Sequence, residues 1–483
     1  MNRPVHPSAE ETKARMRALL DLQKAAQTRK GPPSAALRKD RLTRCIDLLL
    51  THKDDFVDAI TSDFGARSRD MTLLTDIAAA LSPLKQARAQ LNTWMQPKKR
   101  KVTPAALGLL GGRAEVRYQP KGVVGVMTPW NFPVQLAMDA IAGAIAAGNR
   151  VMLKPSEFTP ATSALLAQTI DLYFDEDEIA VVLGGPDIGA AFAGLPFDHL
   201  IFTGATSVGR QVMRAAADNL TPVTLELGGK SPVVIGRSAD MAKTAARIMA
   251  GKTMNAGQIC LAPDYVLAPK EKVSDFVSAA QSATAKMFPT IKDNPDYTAI
   301  INQRHYDRVR GLIEDARSKG AEIVEINPAN EDFDQQEHRK IPPTLILDAT
   351  DEMGVMQEEI FGPVLPIRTY SALEQTIDEI NARPRPLALY YFGNEETESE
   401  ALLARTHSGG VTVNDVIFHV SMDDLPFGGV GPSGIGAYHG ARGFREFSHE
   451  KAVYRQTGSE LIAMLRPPYG ETFRKQVAAR LKP

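Results

Sequence analysis

The chain is 483 residues long, 43% hydrophobic and 23% charged, a composition that excludes a disordered, fibrous or disulfide-stapled protein. Fifty-six Lys and Arg against 57 Asp and Glu leave no basic excess to hold a nucleic acid or an anionic membrane. Two cysteines and nine scattered histidines, without CxxC or HExxH spacing, predict a reducing compartment and no metal.

The first predicted helix carries Leu42, Cys45, Ile46 and Leu49 at i, i+3, i+4 and i+7, so Cys45 reads as a packing residue. Met71 to Gln96 continues in helical style until Pro97. Pro97-Lys-Lys-Arg-Lys101, Gly108, Gly111 and Gly112 then break the pattern, and Arg113 to Tyr118 alternates like an exposed strand, which predicts a protruding arm or hairpin. From Gly122 short apolar strands alternate with helices, as a parallel sheet with crossover helices requires. The strands are Val123–Met127, Arg150–Leu153, Ile179–Leu183, His199–Phe202 and Val223–Leu225, with a helix opening at Pro133 and capped by Gly148-Asn149. The apolar stretch Val134 to Ala147 contains Asp139 and is too short to span a bilayer; with no apolar leader at the start, a cytoplasmic protein is expected. A second α/β cycle runs from Val233 to about Val420, with strands Tyr265–Leu267 and Val364–Ile367, and there is no tandem repeat.

Chemistry concentrates at the predicted strand ends, where the loops of an open α/β sheet form a ligand crevice. Cys260 follows a Gly257-Gln258 turn instead of lying in an apolar periodic run; a lone cysteine is ordinarily a small buried hydrophobe, so its reactivity depends on its company. Thirty-four residues upstream, Glu226 closes a strand before Gly228-Gly229. On the surface it would be a solvated side chain; in an apolar strand end it would be a general base with a raised pKa. Asn131, in Pro129-Trp-Asn-Phe-Pro133, is a helix cap or an oxyanion donor acting with a backbone N–H. Lys154 and Glu157 of Lys-Pro-Ser-Glu follow another strand, as solvated loop residues or as ribose ligands whose carboxylate tilts the choice to NAD over NADP. Gly204-Ala205-Thr206-Ser207-Val208-Gly209 follows a strand and opens a helix, the setting of a pyrophosphate site. Gly429-Val-Gly-Pro-Ser-Gly434 spells G-x-G-x-x-G more literally, but it follows no strand and Pro432 offers no N–H, so it is the decoy. Glu359 and Phe361, in Glu358-Glu-Ile-Phe-Gly-Pro363, suit either packing or a ribose and nicotinamide clamp.

Taken in order, Pro-Trp-Asn-Phe-Pro (129–133), Lys-Pro-Ser-Glu (154–157), Phe-Thr-Gly-Ala-Thr-Ser-Val-Gly (202–209), Glu-Leu-Gly-Gly-Lys (226–230), Gly-Gln-Ile-Cys (257–260) and Glu-Glu-Ile-Phe-Gly-Pro (358–363) resemble the aldehyde dehydrogenase superfamily over roughly residues 30 to 455. Gln258 to Tyr265 and Pro426 to Gly440 look most like its class-three and coniferyl-aldehyde branch. The resemblance implies an α/β fold: a Rossmann-like cofactor domain (1–96 and 119–226), an α/β catalytic domain (227–420), a small β oligomerisation arm and tail (97–118 and 445–483), and a Gly-rich segment (421–444) returning near the active site. It implies that Cys260 attacks the aldehyde, that Asn131 and the Cys260 amide hold the oxyanion, and that Glu226 activates the water that hydrolyses the thioester. Lys154, Glu157, Thr203, Gly204, Ala205, Thr206, Ser207, Val208, Gly209, Leu227, Glu359 and Phe361 would then hold NAD, or NADP.

The implied partners are a small-molecule aldehyde and a second copy in a homodimer, with no nucleic acid and no membrane. Phe132, Phe418 and Phe427 are candidate pocket residues. Two departures stand out: Ala205 leaves phosphate contacts to the backbone, and Met254-Asn-Ala-Gly257 differs from the common Asn-Gln-Gly spelling. The competing readings are a relative that hands its acyl group to coenzyme A, which Glu226 argues against, a dinucleotide-independent cysteine hydrolase needing a histidine partner, and a non-catalytic dinucleotide-binding protein.

Overall fold

Val123–Met127, Arg150–Lys154, Ile179–Val181, His199–Gly204 and Val223–Leu227 form parallel strands of one sheet, with the first strand central, the second and third on one side and the fourth and fifth on the other. Four of the five are almost wholly buried, because helices cover both faces, and their near-continuous apolar sequence follows from that burial. Gly434–Ile435 adds a short antiparallel sixth strand beside Leu225 and Glu226. The Gly-rich segment 421–444 therefore returns to this first sheet. The computed structural model describes residues 8–458, 460, 463 and 466–482; the expectations for the chain's first seven residues and for the remaining tail positions lie outside the described residues.

A second sheet holds Pro232–Ile235, Tyr265–Pro269, Thr344–Leu347, Val364–Tyr370, Ala388–Phe392 and Gly410–Val413 in parallel, with Glu322–Glu325 antiparallel on one edge. Lys98–Arg100, Arg113–Pro120 and Ser448–Arg455 make a third, antiparallel sheet. The arm strand runs to Pro120, two residues beyond the expected boundary, and a short helix, Ala105–Leu109, sits where only a turn was expected. Among the described residues no helix is long and apolar enough to cross a membrane. Cys45 is buried on the inner face of the helix Ala35–Thr51.

The expected helix over 71–96 is divided. Arg69–Thr72 passes into a π-helical turn, Leu73–Ala78, before Ala79–Trp94 resumes. The wider turn carries Asp76, which is fully buried. Its Oδ2 accepts from Arg67 Nη2 at 2.6 Å, and its Oδ1 accepts from the backbone N–H of Val134 (3.2 Å) and Gln135 (3.4 Å) at the start of the helix Gln135–Ala147. Arg67 Nη1 donates to the Asn131 carbonyl at 2.8 Å, and the guanidinium lies over the rings of Phe64 and Phe132. Both partners have no exposed side-chain surface, so removing one strands a buried charge. Asp76→Ala should lower the unfolding free energy by about 3–5 kcal/mol, read as a shift in the urea midpoint followed by tryptophan fluorescence. A midpoint matching the parent protein would show that the pair does not anchor this region.

Candidate active site

The helix Met241–Thr253 runs into a single tight turn, Met254–Gly257, in which Asn255 (φ 49°), Ala256 (φ 52°) and Gly257 (φ 73°) are all left-handed. A side chain at Gly257 would collide with the Gly362 carbonyl. Gln258, fully buried, fastens the turn: its Nε2 donates to the carbonyls of Asn255 (2.9 Å) and Ala299 (3.1 Å), and its Oε1 accepts from Ile301 N–H (3.0 Å). Asn255 Nδ2 donates to the carbonyls of Gln258 (3.1 Å) and Asn131 (3.2 Å), while Asn131 Nδ2 donates to the Gln258 carbonyl (3.2 Å). The Asn131 loop and the cysteine turn are thus laced together, with Cys260 half-buried at the end of the lacing.

Glu226 stands at the end of its strand opposite Gly434, with 1% of its surface exposed. Neither carboxyl oxygen has a hydrogen-bond partner among the described residues. Burial pushes its pKa up to about 8, an effect partly offset by the adjacent Cys260 thiol. The thiol is itself pushed well above its ordinary value by burial and by the neighbouring carboxyls Glu226 and Glu359. These are acids, not the histidine that a cysteine hydrolase would need.

Glu359 is likewise raised to about 8, by burial first and then by Asp264 and Glu226, and accepts a hydrogen bond from the Gly229 backbone. Gly228 leaves the room the Glu359 carboxyl occupies, since a Cβ there would displace it. Lys252, fully buried with no hydrogen-bond partner for its Nζ among the described residues, is lowered to about 8 by burial, against the pull of Asp264 and Glu359. Lys230 bonds Asp264 and the carbonyls of Val355 (2.6 Å) and Glu358 (3.0 Å). The sequence reading gave Gln258, Lys252 and Asp264 no role. Their signal, polar residues close to the cysteine in a stretch otherwise destined for the core, was present but unspecific.

The remaining residues line one row of strand ends. The strand register sets Met127 beside both Lys154 and Phe202, Thr203 beside Glu226, and Gly204 beside Leu227. Where the strand order reverses, between the first and fourth strands, an open α/β sheet has its crevice. Lys154 is buried, with Nζ donating to the Pro155 carbonyl (3.1 Å) and to Glu157 Oε2 (3.3 Å); the Glu157 carboxylate is partly open. The helix Thr206–Ala217 starts from Ala205, which gives its first turn no side-chain cap, so N–H groups of that turn remain for a ligand. Gly209 packs against Leu227, where a Cβ would stand 2.6 Å from its Cδ2. An uncapped helix start and a row of small residues fit the phosphates of a dinucleotide, and Lys154 with Glu157 fits its ribose. Phe361 (φ 48°) lies edge-on to Trp130 at 5.3 Å, beyond the cysteine turn. The Gly429–Gly434 loop packs onto these strand ends through its own backbone carbonyls: Gly431 bridges Gly434, the Ser433 carbonyl accepts from Leu227 N–H at 3.0 Å, and the Pro432 carbonyl accepts from Thr206 Oγ1 at 3.2 Å. Among the described residues no three His, Cys, Asp or Glu side chains gather as metal ligands would.

Comparison with known proteins agrees with this geometry. The model of the aldehyde dehydrogenase family matches residues 3–453. A protein of Caulobacter vibrioides named "Probable coniferyl aldehyde dehydrogenase" is 62% identical over 484 residues, covering all of both chains. The Staphylococcus aureus AldH structure in its substrate-bound state superposes with a TM-score of 0.90 at 35% identity, over 96% of this chain and 99% of that one. A Mycobacterium tuberculosis aldehyde dehydrogenase complexed with NAD+ gives 0.82 at 28% identity, over 92% and 91%. The chain belongs to the aldehyde dehydrogenase family and is an NAD(P)-dependent aldehyde dehydrogenase.

Proposed function

We propose that the chain oxidises an aromatic aldehyde of the coniferyl type to its carboxylic acid through a thioester on Cys260, with NAD as the favoured dinucleotide. The observation that carries the reading is Glu226, a buried carboxyl with both oxygens unpartnered beside the only thiol at the strand ends. A base so placed delivers water to an acyl-enzyme, which favours hydrolysis over transfer to coenzyme A. The name of the Caulobacter relative supports the substrate class.

In this reading Cys260 Sγ bonds to the aldehyde carbon while its proton passes to Glu226. The Asn131 side-chain amide and the Cys260 N–H hold the resulting oxyanion. The bound dinucleotide supplies the acceptor for the hydride that leaves the carbonyl carbon. Cys260 is then acylated, and Glu226, having shed its proton, takes one from the water that attacks the thioester, releasing the acid and the thiol. Lys154 and Glu157 would hold the adenosine ribose, the 203–209 turn and Leu227 the pyrophosphate, and Glu359 and Phe361 the nicotinamide end. The carboxylate of Glu157 would repel a 2′-phosphate, which favours NAD.

The first sheet with the N-terminal helices (1–96 and 119–226) acts as the cofactor domain, and 227–420 as the catalytic domain. The sheet formed by the arm and tail offers largely exposed strands, Lys98–Arg100 and Ser448–Arg455, on which a second copy could build a cytoplasmic homodimer.

Cys260→Ser should lower kcat/KM at least about a thousandfold, measured as dinucleotide reduction with coniferyl aldehyde. Persistent turnover would reject Cys260 as the nucleophile. Glu226→Gln, which can accept neither the thiol proton nor that of the water, should turn over about 10²–10⁴-fold more slowly in the steady state; a steady state matching the parent would reject Glu226 as the base. Because burial raises Glu226, and the base acts only when ionised, acyl-enzyme hydrolysis should rise with pH to a half-maximum near 8 and level off above it. The midpoint belongs to Glu226 and Glu359 together. Stopped-flow single turnovers across that range read it, and a flat profile would contradict the assignment.

A further inference from the structure

Among the described residues, four buried side-chain atoms without a hydrogen-bond partner gather near Phe427: Gln86 Oε1, Asp139 Oδ1, His419 Nε2 and His439 Nε2. The ring of Phe427 is stacked on His439 at 5.1 Å and lies 6.0 Å from Tyr438 and 6.4 Å from His419. His439 Nε2 stands 3.4 Å from Asp139 Oδ2, an oxygen that also accepts from Gln135. Gln86 Oε1 lies against Gly440, where a Cβ would stand 3.3 Å away. Four separate stretches of chain thus converge: the helices Ala79–Trp94 and Gln135–Ala147, the turn Phe418–Ser421 and the loop 427–440.

Folded proteins leave few buried polar groups unsatisfied, and a cluster of them calls for a partner that brings its own hydroxyl or amide. The cluster adjoins the catalytic pair. Tyr438 feels Asp139 as well as Glu226 and Cys260, and Tyr390, 6.3 Å from His419, donates to the Leu261 carbonyl at 2.6 Å, one residue past the nucleophile. His439 has φ 86° and ψ 144°, a backbone conformation that a side-chain-bearing residue keeps only where its surroundings enforce it, as at ligand sites.

We propose that Asp139 and His439 close the far end of the aldehyde pocket and read a hydroxyl on the distal ring of an aromatic aldehyde, which donates to Asp139 Oδ1 and accepts from His439 Nε2–H. The inference rests on the aldehyde-oxidising reading and adds to it the substrate feature and the residues that recognise it. A phenol hydroxyl both donates and accepts, as this pair of unfilled positions requires, and the rings of Phe427 and Tyr438 flank it. A distal carboxylate would meet Asp139, whose carboxyl burial already holds above the ordinary range, and would be excluded.

The test compares kcat/KM for 4-hydroxycinnamaldehyde, cinnamaldehyde, 4-methoxycinnamaldehyde and 4-carboxycinnamaldehyde. The parent enzyme should favour the hydroxyl compound over cinnamaldehyde at least about thirtyfold, since a site built to bond a hydroxyl leaves buried groups unpaired when it is missing. The methoxy and carboxy compounds should fall below the hydroxyl compound. Asp139→Leu should collapse the hydroxyl-to-hydrogen ratio to within about threefold of unity. If circular dichroism shows that variant unfolded, His439→Asn, which tolerates the positive φ, must lower the same ratio at least about fivefold. Equal kcat/KM for the hydroxyl compound and cinnamaldehyde in the parent, a preference for the carboxy compound, or an equal loss on both substrates in the folded variant would overturn this inference while leaving aldehyde oxidation standing. Failure to reduce the dinucleotide with every aldehyde, coniferyl aldehyde included, would overturn the proposed function itself.

Discussion

The catalytic surface hangs on one buried ion pair, Arg67 with Asp76. Two charges removed from water are tolerated only when their remaining hydrogen bonds are met, and here nearly all are. Asp76 takes two backbone N–H groups at the start of the helix Gln135–Ala147, and Arg67 donates to the Asn131 carbonyl. That carbonyl also accepts from Asn255, so its two lone pairs join the ion pair on one side to the cysteine turn on the other. The position of the Asn131 amide is therefore fixed by electrostatics outside the catalytic residues, and the π-helical turn is the backbone's means of bringing Asp76 inward.

Behind the thiol the charges are arranged to keep it quiet. Glu226 and Glu359 both titrate near 8, and each carboxylate opposes ionisation of the other and of Cys260. A resting thiol held protonated is a poor nucleophile and resists adventitious oxidation. Lys252 and Lys230 limit the cost: the first offers a buried ammonium to Asp264 and Glu359, while the second is spent on Asp264 and two carbonyls. Reactivity then waits for the aldehyde, whose developing oxyanion gives the thiol's electrons somewhere to go while Glu226 takes the proton.

The strand ends were legible in the sequence because what marks them is local. An apolar run stops at a polar residue or a glycine and a turn carrying Gly, Pro or Thr follows; Glu226, Lys154 and the 204–209 turn all fit this. The uncapped start at Ala205 was legible for the same reason. What could not be read joins distant positions. Asn131 and Gln258 are 127 residues apart, and Asp139, visible only as an interruption of an apolar stretch, meets His439 across most of the chain. The π-helical turn escaped because its six residues have ordinary helical composition; a tertiary ion pair selects the wider turn, and periodicity carries no trace of it.

The cysteine turn shows how local strain and distant support combine. Left-handed backbone costs a residue bearing a side chain roughly 1–3 kcal/mol, and Asn255 and Ala256 both adopt it before Gly257. Asparagine tolerates the region through its own side-chain bonds, here to two carbonyls, whereas alanine has no such help. Ala256 is instead fully buried in the core of the second sheet, so packing holds the conformation that its backbone resists. This explains how Met254-Asn-Ala-Gly257 can replace the commoner spelling: a small apolar side chain trades conformational freedom for burial. Gln258 then ties the turn to residues 299–301. With the turn clamped from both sides, the chain emerges with Cys260 half-open while its neighbours Gln258 and Ile259 are buried, and a single sulfur is what the turn presents to the crevice.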